Sequence, residues 1–274
     1  MASAVCSLIN ATLIWAADVG DASAVAQLLA DPRVDPRTND NEAIRNAVRK
    51  AHYKVAALLL ADPRVDPSAS DNFVVRFAAE HGHLALVALL LADPRVDPSD
   101  GGNQAVWRSA LNGHDGVVAL LLADPRVNPS VGFNLAVRWA SRNGHDKVVA
   151  LLLADPRVDP SAQNNMAVAS RNGHDGVVAL LLADPRVDPS ACDNAAVSSA
   201  AWFGHVTIVA LLLADNRVQK ALTAMAPPLT TCPPSPALTR LQAAIADERR
   251  WRRRRALALV REQRRVARDH WKWL

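Results

Sequence analysis

The chain has 274 residues, half of them apolar, with 31 Lys or Arg against 27 Asp or Glu for a net charge of +4. Its three cysteines, Cys6, Cys192 and Cys232, have no metal-like spacing, which excludes a disulfide scaffold or a zinc module and fits a reducing compartment. No stretch reaches the length of a membrane span, and the apolar start has no Lys or Arg before Arg33, unlike a signal peptide. An intracellular protein, cytoplasmic or nuclear, is therefore expected. The charge is divided unevenly: residues 237–274 hold twelve Lys or Arg against four acids, a net +8, whereas residues 1–236 hold nineteen against twenty-three, a net −4.

Asp-Pro-Arg begins at Asp31, Asp62, Asp93, Asp124, Asp155 and Asp184, and Asp-Asn-Arg at Asp215. The interval is 31 residues at every step but one, where it is 29. A fixed period of this size marks a solenoid whose units bury their apolar faces on one another. Seven units fit residues 4–226, near 4–36, 37–67, 68–98, 99–129, 130–160, 161–189 and 190–226.

Each unit reads as a helical hairpin and an extended turn. Asn10, Asn41, Asn72, Asn103, Asn134, Asn165 and Asn194 align, each before an apolar-rich run, and are expected to be helix N-caps. Gly20, Gly82, Gly113, Gly144, Gly173 and Gly204 follow, with Ala51 in the second unit; the position calls for a left-handed residue, where alanine costs about 1 kcal/mol. VVALLLA then gives a second helix apolar enough to be buried on most sides. Asp-Pro ends it, and RVDPSA is extended and turn-forming.

The units differ in chain order. The first, with few charges, suits one end of a stack. Units two to five are regular. In the sixth, NMAVASRNGH (165–174) lacks two residues present in NLAVRWASRNGH (134–145), so a shortened or broken helix over residues 166–171 and altered stacking of units five and six are expected. The seventh is as apolar as the internal ones and needs a cover, for which QKALTAMA (219–226) is a candidate. PPLTTCPPSP (227–236) has five prolines in ten residues and reads as an extended linker. Residues 237–274, free of Gly and Pro, read as a basic helix with apolar faces (Leu238, Leu241, Ile245; Val260, Trp271, Leu274) suited to docking on unit seven.

The pattern A-A/S-x-x-G-H-x-x-V-V-x-L-L-L, clear at residues 78–91, 109–122 and 140–153, resembles the ankyrin-repeat family. The DPRVDPSA style is similar to ankyrin arrays of large DNA viruses and protists, which would place the protein in the host cell. The resemblance covers about four-fifths of the chain, but the period is 31 rather than 33 and the T-P-L-H opening of the family is absent. It implies an all-α fold: an ankyrin-type helical-hairpin solenoid of about seven repeats, here followed by the proline-rich linker and basic helix. It also implies a β-hairpin-like finger between units and contact surfaces at the finger tips and first-helix ends. A non-catalytic scaffold or adaptor that binds another protein, itself monomeric, is the implied function.

Those surfaces give the candidate contact residues. At the tips, Phe133 is an aromatic where polar turn residues are expected. At the helix ends stand Glu80 and His81, Arg142, and the aromatic pair Trp202 and Phe203. Aromatics and Arg are the types that anchor interfaces. Phe133 packed on a neighbouring finger, and Trp202 and Phe203 covered by the tail, are the alternatives. Trp15, Phe77 and Trp139 share a column expected to be half-buried between units, and Trp107, one position earlier, is expected to be exposed. His52, His83, His114, His145, His174 and His205 form a column too widely spaced for shared metal ligation and are expected to be structural. The Asp and Arg of DPRVD are expected to pair in rows along the stack. No catalytic grouping or phosphate-cradling loop is present, so no catalysis, cofactor or metal is expected. In the tail, Arg249, Arg250, Arg252, Arg253, Arg254 and Arg255 suit a nucleic acid, an import receptor or the acidic array itself, with a membrane surface less favoured.

Overall fold

The computed structural model describes residues 2–224. The linker at 227–236 and the Arg-rich segment at 237–274, with the expectations placed on them, lie outside the described residues. The chain divides into two compact units, Met1–Gln163 and Asn164–Leu274.

In the first unit α1 (Ala2–Val19) and α2 (Ala22–Leu29), α3 (Thr38–Arg49) and α4 (Tyr53–Ala61), α5 (Ala69–Glu80) and α6 (Leu84–Leu91), α7 (Asp100–Leu111) and α8 (Asp115–Ala123), and α9 (Val131–Asn143) and α10 (Asp146–Leu153) form successive hairpins. In the second, α11 (Asn165–Asn172) pairs with α12 (Asp175–Ala183) and α13 (Ala191–Phe203) with α14 (Val206–Ala214), followed by α15 (Asn216–Ala224). First helices pack on first helices and second on second. Small residues let them approach: Ala47, Ala78, Ser109 and Ala140 are fully buried at one column. Leu59, Leu90, Leu121 and Leu152 fill the second-helix column, each buried side chain worth about 1.5–3 kcal/mol. The valine of each Asp-Pro-Arg-Val is buried as well.

No strand occurs among the described residues, so the hairpin-like finger is replaced by something shorter. The Asp-Pro turns before α3, α5, α7, α9 and α13 run into three consecutive left-handed residues that open the next first helix, such as Asn39-Asp40-Asn41, Ser70-Asp71-Asn72 and Gly101-Gly102-Asn103. Asn, Asp and Gly tolerate that region best, and the composition of the triplets follows. Prolines on both sides of Arg-Val remove the N–H groups a strand ladder would need.

The aligned Asn is not an N-cap. Its side-chain oxygen reaches 25 positions ahead to the turn that closes its own repeat. The Asp66 N–H donates to Asn41 Oδ1 at 2.9 Å, Asp97 to Asn72 at 2.8 Å, Asn128 to Asn103 at 2.7 Å and Asp159 to Asn134 at 2.8 Å. These asparagines are themselves buried, so the bond satisfies both partners.

The Asp and Arg of Asp-Pro-Arg do not pair along the stack either. Each Arg lies across the Asp two residues before it in the same repeat, as in Arg95 Nη2 to Asp93 Oδ2 at 2.6 Å. So held, the guanidinium donates to the preceding repeat: Arg95 to the Val65 and Leu60 carbonyls, both at 2.8 Å, and Arg64 to those of Val34 and Leu29 at 2.8 and 2.9 Å. Leu29 and Leu60 lie at the C-terminal ends of α2 and α4, where carbonyls lack helical partners.

The two-residue loss in the sixth repeat leaves a shortened but unbroken first helix, 8 residues in α11 against 13 in α9. Counting back from the left-handed glycine, α9 has a right-handed stretch over 135–143 and α11 one over 165–172, unbroken at 166–171. The triplet Gly132-Phe133-Asn134 corresponds to a single left-handed residue, Asn164, at the end of a 3-10 turn, Ala162–Asn164. The loss is absorbed where the backbone is costly, and Met166, Ala169 and Ser170 remain buried. In the last repeat α15 lies on α13 and α14 with Val218 fully buried, while Gln219 and Lys220 that follow it are exposed.

Candidate functional surface

The histidine column is structural. His114 places Nε2 3.0 Å from the Glu80 carbonyl, His145 2.9 Å from that of Leu111, and His52 3.0 Å from that of Asp18. A carbonyl only accepts, so Nε2 carries the proton. Each ring lies over the left-handed glycine of the preceding repeat: a Cβ on Gly113 would come within 2.6 Å of His145 Nδ1. Glycine is thus required both by φ (+76°) and by the ring above it. Ala51 occupies the same position with φ +57°. The following histidine, His83, makes no such carbonyl bond among the described residues; its ring lies 6.0 Å from that of His81. Burial, and then the charges of His81 and His114, lower its pKa. No group of three His, Cys, Asp or Glu among the described residues is placed to hold a metal ion.

Most of the expected contact residues in the first unit are partly engaged by their neighbours. Glu80 forms an ion pair with Arg108 at 2.5 Å, and its carbonyl accepts from Asn112 as well as His114. Trp107 is half-buried rather than exposed, with the Arg108 guanidinium 5.2 Å from its ring centroid. Arg142 is exposed and lies 5.3 Å over the half-buried Trp139. His81 is exposed and stacks on Phe77 at 3.9 Å. Phe77 stacks on Phe73 at 5.5 Å, and the Arg49 guanidinium lies 5.0 Å from Phe73. The helix ends of the second and third repeats therefore carry a continuous row of stacked cation and rings, each contact worth about 0.5–1 kcal/mol at an exposed site. Sequence reasoning missed Arg49 and Phe73 in that row, because the pair is made across two repeats. Trp15 is not half-buried like Phe77 and Trp139 but 62% exposed.

Phe133 stands apart. It is 77% exposed and left-handed (φ +57°), where the corresponding residues are Asp40, Asp71, Gly102 and Asp193. It does not pack on a neighbouring turn.

In the second unit Trp202 and Phe203 close α13, 48% and 49% exposed. The Arg171 guanidinium lies 5.3 Å from the Phe203 ring centroid, and the His205 ring stacks on Phe203 at 6.5 Å. The His205 Nε2 in turn donates to the Arg171 carbonyl at 2.9 Å. Each Asp-Pro-Arg carboxylate is held below its ordinary pKa by the guanidinium bonded to it, at about 2 for Asp31.

Residues 137–223 match the family model for ankyrin repeats, in three copies. These residues carry ankyrin repeats. No curated protein matches it. The ankyrin match covers the later hairpins, and the same Asn, Gly-His and Asp-Pro-Arg columns run through the hairpins before them. Ankyrin repeats are generally protein–protein interaction modules. The described helices include none long and apolar enough to cross a membrane.

Proposed function

We propose that the ankyrin array is a non-catalytic scaffold or adaptor that binds a protein partner through its turn tips and first-helix ends. The observation that carries this is Phe133. A large aromatic in a left-handed conformation costs about 1–2 kcal/mol. At 77% exposure it recovers almost none of that by burial. An internal role would not keep such a residue; a partner that covers it would. Trp202, Phe203, His81 and Arg142 supply the types that anchor interfaces and stand exposed at helix ends. Within each unit the repeat scaffold holds its own residues in fixed positions, so little ordering opposes binding there.

The test is capture with full-length protein after nuclease treatment, beside Phe133→Ser and the double variant Trp202→Ala/Phe203→Ala. A defined protein retained by the parent and lost by at least one variant supports the reading. Binding that disappears with nuclease, or survives in both variants, overturns it.

A further inference from the structure

The right-handed parts of the first helices in repeats two to five are residues 42–50, 73–80, 104–111 and 135–143. They hold seven Lys or Arg against two acids, in an array whose residues 1–236 are net −4. Both acids are already engaged. Glu42 accepts from Asn39 Nδ2 at 2.8 Å, and Glu80 is paired with Arg108. The cations fall into order four positions after the aligned Asn. Arg45, Arg76, Trp107 and Arg138 succeed one another there on α3, α5, α7 and α9, all half-buried.

Arg45 shows what this column takes. It pairs with the Asp40 carboxylate at 3.4 Å and donates to the Asn39 carbonyl at 2.8 Å. Arg76 finds only neutral acceptors, Gln104 Oε1 at 3.0 Å and the Ser70 carbonyl at 2.9 Å, and its Nε is buried without a partner. Asp100 accepts from Asn72 and from the Gly101 N–H and makes no ion pair with Arg76. Arg138 has no hydrogen-bond or ion-pair partner among the described residues. A guanidinium partly withdrawn from water and lacking an anion is where an incoming carboxylate makes its strongest bonds. On α3, Arg49 lies over Phe73 and Lys50 is exposed, and neither forms an ion pair, which widens the positive field.

We infer that the column binds an acid-rich, extended segment of the protein partner, with carboxylates on Arg76 and Arg138 and an apolar side chain between them on Trp107. This rests on the protein-binding reading above and specifies its chemistry. The first helices α5, α7 and α9 pack in succession. Packed helices lie about 8–10 Å apart, so Arg76 and Arg138, two helices apart, are separated by about 16–20 Å. An extended chain rises about 3.3 Å per residue, which places the two acids roughly five or six residues apart. A nucleic acid fits less well. It carries a charge at every nucleotide, so it would also face Asp40, Asp71 and Asp100 at the turn tips. A peptide sets its carboxylates only opposite the cations. The chain's own residues 237–274 are net +8, the wrong sign for this column.

The probe is a synthetic peptide that repeats Glu-Ser-Ser-Leu-Ser-Ser, with photoreactive benzoylphenylalanine in place of one leucine. It is cross-linked to the full-length chain and to the variant Arg76→Gln/Arg138→Gln, and the attachment sites are mapped by mass spectrometry. Attachment is expected on α5, α7 and α9, falling at least about tenfold in the variant. If the double variant unfolds, Arg138→Gln alone carries the test, since that side chain bonds nothing in the fold. No attachment, attachment confined to residues 237–274, or attachment unchanged by the substitutions overturns the inference. So does displacement by single-stranded DNA of equal charge at a lower concentration than by unlabelled peptide. The readout is a place of attachment, so its failure leaves the capture test of Phe133, Trp202 and Phe203 standing, and failure of that capture leaves the attachment standing.

Discussion

Phe133 and Ala51 hold the same left-handed backbone for opposite reasons. At Phe133 the cost is local and nothing inside the unit repays it, which makes the residue separable from the fold. Phe133→Asn should raise stability by about 1 kcal/mol, since Asn is comfortable at φ +57°, while abolishing partner capture. Denaturant midpoints and the capture assay read the two effects; a stability that falls, or capture that persists, would refute the assignment. At Ala51 the cost extends to a neighbour, because the methyl group occupies the space in which other repeats seat a histidine. Ala51→Gly should remove about 1 kcal/mol of strain and let His83 reach the Arg49 carbonyl. Gly113→Ala should do the reverse to His145, at about 2 kcal/mol for strain and the lost bond. Unfolding curves of both variants check the pair, and equal or same-signed shifts would rule the explanation out.

At the scale of the element, the unit is closed by bonds that join its turn to distant backbone. Arg95 forks across the Val65 and Leu60 carbonyls, whereas Arg33 bonds only its own Asp31 among the described residues. Lysine keeps the charge but not the fork. Arg95→Lys should therefore cost about 1–2 kcal/mol, and Arg33→Lys within about 0.5 kcal/mol; similar losses would mean that the carbonyl bonds contribute nothing. The paired carboxylates add a pH dependence whose sign is fixed. Their pKa values are depressed in the folded chain, so the stability they give is present above about pH 4, the unfolded value. It is lost as pH falls through the folded values, about 2 for Asp31. The thermal midpoint should slip a little below about pH 6.5, where the half-buried His83 resists the proton its unfolded form takes up, and fall steadily below about pH 4; a midpoint flat to pH 2 would contradict this. These elements also mark how far the sequence could be read. The period, the hairpin, the left-handed Gly column and the strained Ala51 were all legible, because local geometry and burial pattern dictate them. The Asn column was legible as a position but not as a role: a local rule makes it a cap, and only the folded unit brings Asp66 N–H to Asn41. Glu80 looked available for the same reason, since the Arg108 that engages it is brought there by the packing of α7 on α5. Phe133 needed no such partner and was legible outright.

Across the whole array, the stability of a repeat protein is nearly a sum of similar nearest-neighbour terms. Within the first unit each repeat holds the previous one through an Arg–carbonyl bond, twofold at Arg64 and Arg95 and single at Arg126 and Arg157, through the Gly–His contact and through the buried columns. The Gly–His contact is missing at a single place, where Ala51 meets His83. A deficit of about 1–2 kcal/mol changes the population of an open state by roughly five- to thirty-fold, and local opening in such chains is graded by such differences. Native-state hydrogen exchange should therefore find the α4 and α6 amides less protected than their equivalents in α8, at the junction of the second and third repeats. Ala51→Gly should restore protection there and leave α8 unchanged. Uniform protection across the internal repeats, or a gain spread evenly over the unit, would show that the clasps act collectively and that no single one sets where the array opens.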